Sequence, residues 1–336
     1  MHVVMIGGTG FLGYFTARAL QRRGHTVTAV GLALPVARTM PDGVDCVVQN
    51  TDTADVQDLA DLFCGADAVI HAAGIDGRYS GPSPAIDAYR AANVAPFTRL
   101  IPAMRSAGAK KLVVLGSYYT ALARSAPHLV QLHRNPYPLS RQEQADLAFN
   151  LAGPAISVAI LELPYIFGGA PGRGTLWGYL IDSVSKTGPV AVPMGGTACV
   201  TADQVAAAAA GACERSSGHR HYPICGENLT YREIYGHFAS ALGLSPDFVP
   251  TDAKKAMQGA EENRQRLRED GTETGYDPAD VVRWQQEFLY LDPLPAMQDL
   301  GFGPDPIGPA IKATVEATQR HGGQGPGGLV RKGEYK

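Results

Sequence analysis

The chain has 336 residues, 45% of them hydrophobic and 18% charged, with a formal net charge of −3. That balance gives no reason to expect nucleic acid or a membrane surface as partner, and the length suits one large α/β unit or a core domain with a smaller lobe. Its cysteines (Cys46, Cys64, Cys199, Cys213 and Cys225) are odd in number and widely spaced, so neither a disulfide framework nor a metal site is expected, and a reduced cytoplasmic setting fits.

In chain order, Val3-Val4-Met5-Ile6 runs directly into Gly7-Gly8-Thr9-Gly10-Phe11-Leu12-Gly13, and a helical pattern follows to about Arg23. A first strand beginning at residue 2 or 3 leaves no room for a targeting segment. Both Gly8-x-Gly10-x-x-Gly13 and Gly7-x-x-Gly10-x-x-Gly13 fit the dinucleotide fingerprint. The first glycines permit a tight turn, Gly10 lets backbone approach a pyrophosphate, and Gly13 packs helix on strand. The helix N-terminus then faces the phosphates.

Thr26 to Val30 and Val44 to Val48 read as the second and third strands, with Asp55 to Phe63 a helix between the third and fourth. Ala68 to Gly74 is the fourth strand, ending in small residues where a cofactor can lie close. Asn93 to Ala107 is helical, Lys111 to Leu115 the fifth strand, and Ile156 to Leu163 the sixth, after a helix that follows Tyr137. This alternation predicts an α/β Rossmann fold, a doubly wound parallel sheet with a smaller C-terminal substrate-binding lobe. Residues 1–165 form the core, to which 196–225 return; 166–195 and 226–321 form the lobe. Val205 to Cys213 reads as a buried alanine-rich helix and Asp252 to Asp270 as a solvated helix or mobile flap. Residues 322–336 read as a disordered tail.

These features resemble an extended short-chain dehydrogenase/reductase, the NAD-dependent epimerase/dehydratase superfamily, from Val3 to about Gln319. The glycine turn, His71-Ala72-Ala73-Gly74, Asn93-Val94, Ser117, Tyr137-Pro138-Leu139-Ser140-Arg141 and Pro164-Tyr165-Ile166-Phe167-Gly168 carry the resemblance. It implies NAD(P) held by Gly7, Gly8, Thr9, Gly10, Phe11, Leu12, Gly13, Asp52, Ala72, Ala73, Gly74, Asn93, Pro164 and Ile166. It also implies a catalytic set at Ser117, Tyr137 and position 141. In the family, tyrosine exchanges a proton with the substrate oxygen, serine hydrogen-bonds that oxygen, and lysine assists the phenol and holds the cofactor ribose. A tyrosine needs such help because its free pKa is about 10. The implied activity is NAD(P)-dependent oxidoreduction of a carbonyl, secondary alcohol or sugar-like small molecule. A homodimer is an expectation by analogy.

The sequence departs from the family pattern at three places. Position 141 is Arg, which keeps the charge but cannot relay a proton. That leaves open altered redox geometry, a non-redox reaction such as epimerisation, dehydration or cyclisation, or a nucleotide-binding sensor. Gly31-Leu32-Ala33 offers no acid for the adenosine ribose; with Arg38 as the nearest cation, this favours NADP over NAD. Glu162 stands where many relatives have Arg.

Other residues carry paired readings. Asp52 either lies near the adenine or caps the next helix. Tyr118 and Tyr119 line the cleft or pack in the core, and Arg173 and Trp177 contact substrate or decorate a surface loop. His71 packs locally, and His219-x-His221 leads into a strand rather than to a metal.

Overall fold

Alternate residues of the inner strands are buried on opposite sides. Val3, Met5, Ile70, Val113 and Ala159 pack into one cluster, while Val4, Ile6, Val69, Leu112, Val114 and Val158 pack into another. Such near-continuous apolar strands are stable only where helices cover both faces. The computed structural model, which describes residues 1–321, shows that arrangement. Seven strands form one sheet in the spatial order His219–Pro223, Ser157–Glu162, Lys111–Leu115, Ala68–His71, His2–Ile6, Thr26–Gly31, Asp45–Val48. Every pairing in it is parallel. The order reverses between His2–Ile6 and Ala68–His71, and ligands of such sheets bind beyond the strand ends at that switch point.

The helix Ala202–Arg215 packs on the first helix, Phe11–Arg22, through a buried run of alanines. Small side chains also bring Gly211 against the end of Leu294–Leu300, where a Cβ would stand 1.8 Å from the Leu300 carbonyl. Residues 196–225 divide between two sheets. His219–Pro223 extends the large one, whereas Gly196–Thr201 lies in a smaller sheet with Glu227–Thr230, Phe288–Leu289 and Tyr165–Phe167. Phe167, Leu180, Ile234, Phe238, Ile307 and Ile311 form the core beneath that second sheet.

One difference from the sequence reading, and one choice between its alternatives, bear on the site. The helical segment read from Asn93 begins earlier, at Ile86, and passes through a π-helical stretch, Arg90–Val94, before Phe97–Ala107. The charged stretch is a helix, Ala253–Glu269, capped by Asp252 and burying only Ala260. Beyond it, Thr272–Thr274 pairs antiparallel with Ser80–Pro82, the segment after the fourth strand. That ladder draws the C-terminal part of the chain onto the strand ends. The tail read at 322–336 lies outside the described residues.

Candidate active site

The glycines of the first turn divide by what surrounds them. A Cβ at Gly7 (φ +75°) would stand 2.8 Å from the Ala72 backbone, and one at Gly13 would stand 2.0 Å from the Gly8 carbonyl. Gly10 is exposed, and a Cβ there would meet only the Gly7 carbonyl, at 3.1 Å. Close packing therefore requires Gly7 and Gly13, while Gly10 keeps the outer face low. As N-cap of the Phe11–Arg22 helix, Gly10 offers no side chain to the first-turn amides. Those donors and the helix dipole suit an anion, so the turn fits a pyrophosphate. Phe11 packs edge-on against Phe15 at 5.3 Å, and Leu12 fills the space beside the sheet.

The opposite wall is the Ala72–Gly74 segment. The Ala72 amide donates to the Ile6 carbonyl at 2.8 Å, and Ala73 follows, half-buried. Gly74 is exposed with φ +124°, and a Cβ there would lie 2.4 Å from Asn93 Oδ1. Asn93 is fully buried. Its Oδ1 accepts from the Ile75 amide at 2.9 Å, and its Nδ2 donates to the Ile75 carbonyl at 3.0 Å and Ser140 Oγ at 3.2 Å. Gln144 Nε2 donates to the Asn93 carbonyl at 2.6 Å. The side chain of one helix thus engages a carbonyl of its neighbour within the π-helical stretch, a local irregularity often found at functional sites.

Ser117 lies just beyond the strand Lys111–Leu115 and caps the Tyr118–Ser125 helix, its Oγ accepting from the Tyr119 amide at 3.5 Å. Tyr137 lies in the first turn of Pro136–Ala152, and its amide donates to the Gly275 carbonyl at 3.1 Å. Its ring packs against Tyr276 at 5.6 Å and Tyr89 at 5.9 Å. One turn later on the same face, Arg141 is buried and donates to the Leu115 carbonyl. Its guanidinium carbon stands 6.0 Å from the centre of the Tyr137 ring, and its Nε has no partner among the described residues. Burial pulls its pKa down from the usual arginine value, yet so strong a base remains protonated. Beneath it, His71 is buried against Phe97 at 4.8 Å. Burial, reinforced by the Arg141 charge, lowers its pKa to about 3, so the ring is neutral.

The remaining candidates fall elsewhere. Asp52 stands at the surface and does not cap the next helix; Asp55 does, accepting from the Asp58 amide at 2.8 Å. Pro164 is buried between the sixth strand and Tyr165–Phe167, in which Ile166 pairs with Val200. Tyr118 is core, its hydroxyl 3.1 Å from Thr197 Oγ1. Tyr119, also buried, packs on Tyr276 at 5.2 Å and Trp284 at 4.9 Å, one ring removed from Tyr137. Glu162 is fully buried; burial opposes its charge, but contacts from His221, Arg124 and Thr120 hold its carboxyl below the usual glutamate range. Trp177 Nε1 donates to the Ile166 carbonyl at 2.7 Å, and its ring packs on Phe167. Arg173 reaches the glycine turn, where its NH2 donates to the Thr9 carbonyl at 2.5 Å. Gly275 and Tyr276 carry no local signal in sequence; only the pairing of Thr272–Thr274 with Ser80–Pro82 brings them to Tyr137.

Residues 3–225, about two thirds of the chain, match the family described as the NAD dependent epimerase/dehydratase family. The chain belongs to that family. That membership, together with reductase and epimerase relatives, supports an NAD-dependent oxidoreductase or epimerase/dehydratase. The chain is 32% identical over 150 residues to a 2-alkyl-3-oxoalkanoate reductase of Stenotrophomonas maltophilia (strain K279a), covering 44% of this chain and 42% of the relative. The match thus spans less than half of that relative's length. Among solved structures, this family member resembles a UDP-glucose 4-epimerase from Bifidobacterium longum in complex with NAD+ and UDP. The TM-score is 0.72 at 17% identity, over 96% of this chain and 100% of that one. It also resembles a nucleoside-diphosphate-sugar epimerase from Pseudomonas aeruginosa, with TM-score 0.72 at 19% identity, over 96% and 98% of the two chains. At such identities these likenesses establish the fold. No helix among the described residues is long and apolar enough to cross a membrane.

Proposed function

We propose that the protein is an NADP-preferring oxidoreductase that interconverts a carbonyl and a secondary alcohol on a small molecule with an apolar body. Tyr137 is the acid/base, Ser117 orients the reacting oxygen, and Arg141 stands in for the family's lysine. The observation that carries this reading is the place of Arg141. A buried cation with no carboxylate partner among the described residues stands 6.0 Å from the Tyr137 ring and is tied to the end of the strand that leads into Ser117. An unpaired buried cation costs stability unless a ligand or the reaction uses it.

In this reading the bound dinucleotide supplies a ring that accepts or gives hydride. Ser117 Oγ hydrogen-bonds the substrate oxygen, and the Tyr137 hydroxyl gives that oxygen a proton in reduction or takes one in oxidation. Arg141 keeps its own proton throughout and acts by charge and by hydrogen bonds to ribose hydroxyls. Tyr276 packs beside Tyr137, backed by the buried Tyr119 and Trp284. A groove of about 390 Å³ lies against Tyr276, lined mainly by Ala256, Ala260, Val281 and Val282 with Asn263 and Thr274. Such walls suit an apolar substrate body better than a strongly hydrated one, and the relative named as an oxoalkanoate reductase belongs to the same carbonyl class.

The test is nicotinamide absorbance during turnover of 3-oxoalkanoates and related ketones by wild-type protein and Tyr137→Phe. Reduction should occur with wild-type, and the variant should lose about 10²–10⁴-fold in kcat with little change in dinucleotide affinity. Turnover with the absorbance constant would replace this reading with a non-redox reaction on the same fold, and full activity in Tyr137→Phe would remove Tyr137 as the acid/base.

A further inference from the structure

The end of the second strand, where an acid commonly engages the adenosine ribose, is closed to one here. A Cβ on Gly31 would stand 2.1 Å from Thr9 Oγ1, so no side chain fits at position 31 while Thr9 keeps its place. Past Gly31 the chain leaves the sheet through exposed Leu32, Ala33 and Leu34 before Thr39 turns back inward. The glycine-rich segment from the far side of the molecule lies against that turn: a Cβ on Gly172 would meet Thr39 Cγ2 at 2.5 Å. Two loops remote in sequence therefore border the adenosine end of the glycine turn.

Arg173 joins them. Its NH1 donates to the Thr39 carbonyl at 2.7 Å, and its NH2 donates to the Thr9 carbonyl at 2.5 Å. Longer contacts reach the Pro171 carbonyl at 3.2 Å and Met40 Sδ at 3.6 Å. Every one of these partners is neutral. The guanidinium is half-buried and held in place by backbone, with two contacts weak enough to yield to a better acceptor. A planar cation fixed between carbonyls is suited to a phosphate monoester, which it can meet with two parallel hydrogen bonds. Arg38, exposed on the facing loop with φ 66°, adds a second positive charge at the rim.

We propose that Arg173 receives the adenosine 2′-phosphate of NADP. The assignment rests on the dinucleotide reading above and adds the residue that chooses between the two cofactors. The charge that selects the phosphate comes from the segment after Tyr165–Phe167, not from the loop following the second strand. At the place of the acid that would repel it stands Gly31, packed on the Thr9 side chain.

Calorimetric titration of the intact protein with adenosine 2′,5′-bisphosphate and with 5′-AMP tests the assignment without turnover. Wild-type protein should bind the bisphosphate roughly tenfold or more tightly than AMP, the scale of one charge-assisted hydrogen bond. Arg173→Met should bring that ratio near unity with AMP affinity unchanged within about twofold, and Arg173→Lys should keep an intermediate ratio. Because Arg173 also ties two loops together, melting curves accompany each titration, and the Lys variant carries the comparison if the Met variant unfolds. A wild-type ratio near unity overturns the assignment and leaves NAD(P) binding intact. So does a ratio that survives in the variants. Failure of both nucleotides and of NAD and NADP to bind overturns the assignment together with the dinucleotide reading.

Discussion

Arg141 donates to the carbonyl of Leu115, and its guanidinium carbon stands 6.0 Å from the centre of the Tyr137 ring. One side chain thereby ties the helix that carries the phenol to the strand that leads into Ser117. Substitution separates its electrostatic part from its geometric part. Arg141→Met should lower kcat by about 10²-fold or more, while Arg141→Lys retains more activity than the Met variant because it keeps the charge. Stability should move little, or rise, in Arg141→Met, since replacing a buried cation by an apolar side chain removes a desolvation penalty. Steady-state kinetics alongside thermal denaturation check both parts. A Met variant as active as wild-type would remove Arg141 from the chemistry.

The glycine turn makes a sharper contrast. In Gly13→Ala the new methyl would overlap the Gly8 carbonyl, 2.0 Å away, so the first helix must shift. A loss of about 1–3 kcal/mol, together with loss of dinucleotide binding, is expected. Gly10→Ala meets only the Gly7 carbonyl at 3.1 Å. It should melt close to wild-type yet bind dinucleotide about tenfold or more weakly, because in the proposed site its methyl would stand where the pyrophosphate approaches. Paired melting and titration experiments distinguish the two positions.

His71 sets an acid limit on stability. Burial, with the Arg141 charge, lowers its pKa from 6.5 to about 3 in the folded protein. The unfolded chain therefore binds one more proton between those values, and the His71 contribution is complete above pH 6.5 and is lost progressively as pH falls toward 3. Urea denaturation should show about 2 kcal/mol of loss from this residue between pH 7 and pH 5. His71→Leu should flatten that part of the profile. An unchanged slope in the variant would place the proton uptake elsewhere.

Glu162 is buried in its charged form, unlike the neutral His71, yet its contribution is likewise lost toward acid. Its carboxylate is fully buried, with Arg124 NH2 at 2.7 Å, Thr120 Oγ1 at 2.5 Å and His221 Nδ1 at 3.1 Å. Arg124 is 42% exposed and regains water when the pair breaks, whereas Glu162 does not. Arg124→Met should therefore destabilise by about 1–3 kcal/mol, a larger loss than Glu162→Gln causes. Because the folded pKa is depressed, the carboxylate contributes fully above the ordinary glutamate pKa and less as pH falls below it. The cost of Arg124→Met should shrink in the same direction, which denaturation at neutral and acid pH will show.

What was legible in the sequence follows from the range of the forces involved. Lys111–Leu115 stands where its apolar run places it, and the fingerprint glycines form the turn their spacing requires. The helix Tyr118–Ser125 was hidden, since its aromatic start after Ser117 reads equally as cleft lining. The π-helical stretch at Arg90–Val94 was also hidden, and there Gln144 from a later helix engages the Asn93 carbonyl. Arg173 shows the limit most clearly. Its place in a glycine-rich loop suggested substrate or surface, and its partners Thr9 and Thr39 lie more than a hundred residues earlier. No periodicity encodes contacts of that kind; they follow from where two loops leave two different sheets.

The pairing of Thr272–Thr274 with Ser80–Pro82 changes how entry to the Tyr137 cleft has to work. Around it, the Ser83 amide donates to the Gly271 carbonyl, the Ala85 amide to Glu273 Oε2, and the Tyr137 amide to the Gly275 carbonyl. Residues 271–276 are thus stitched, by two backbone bonds and one to the Glu273 side chain beside the ladder, to the half of the molecule bearing the glycine turn. A jaw hinged at the lobe boundary would have to unzip those stitches on every cycle.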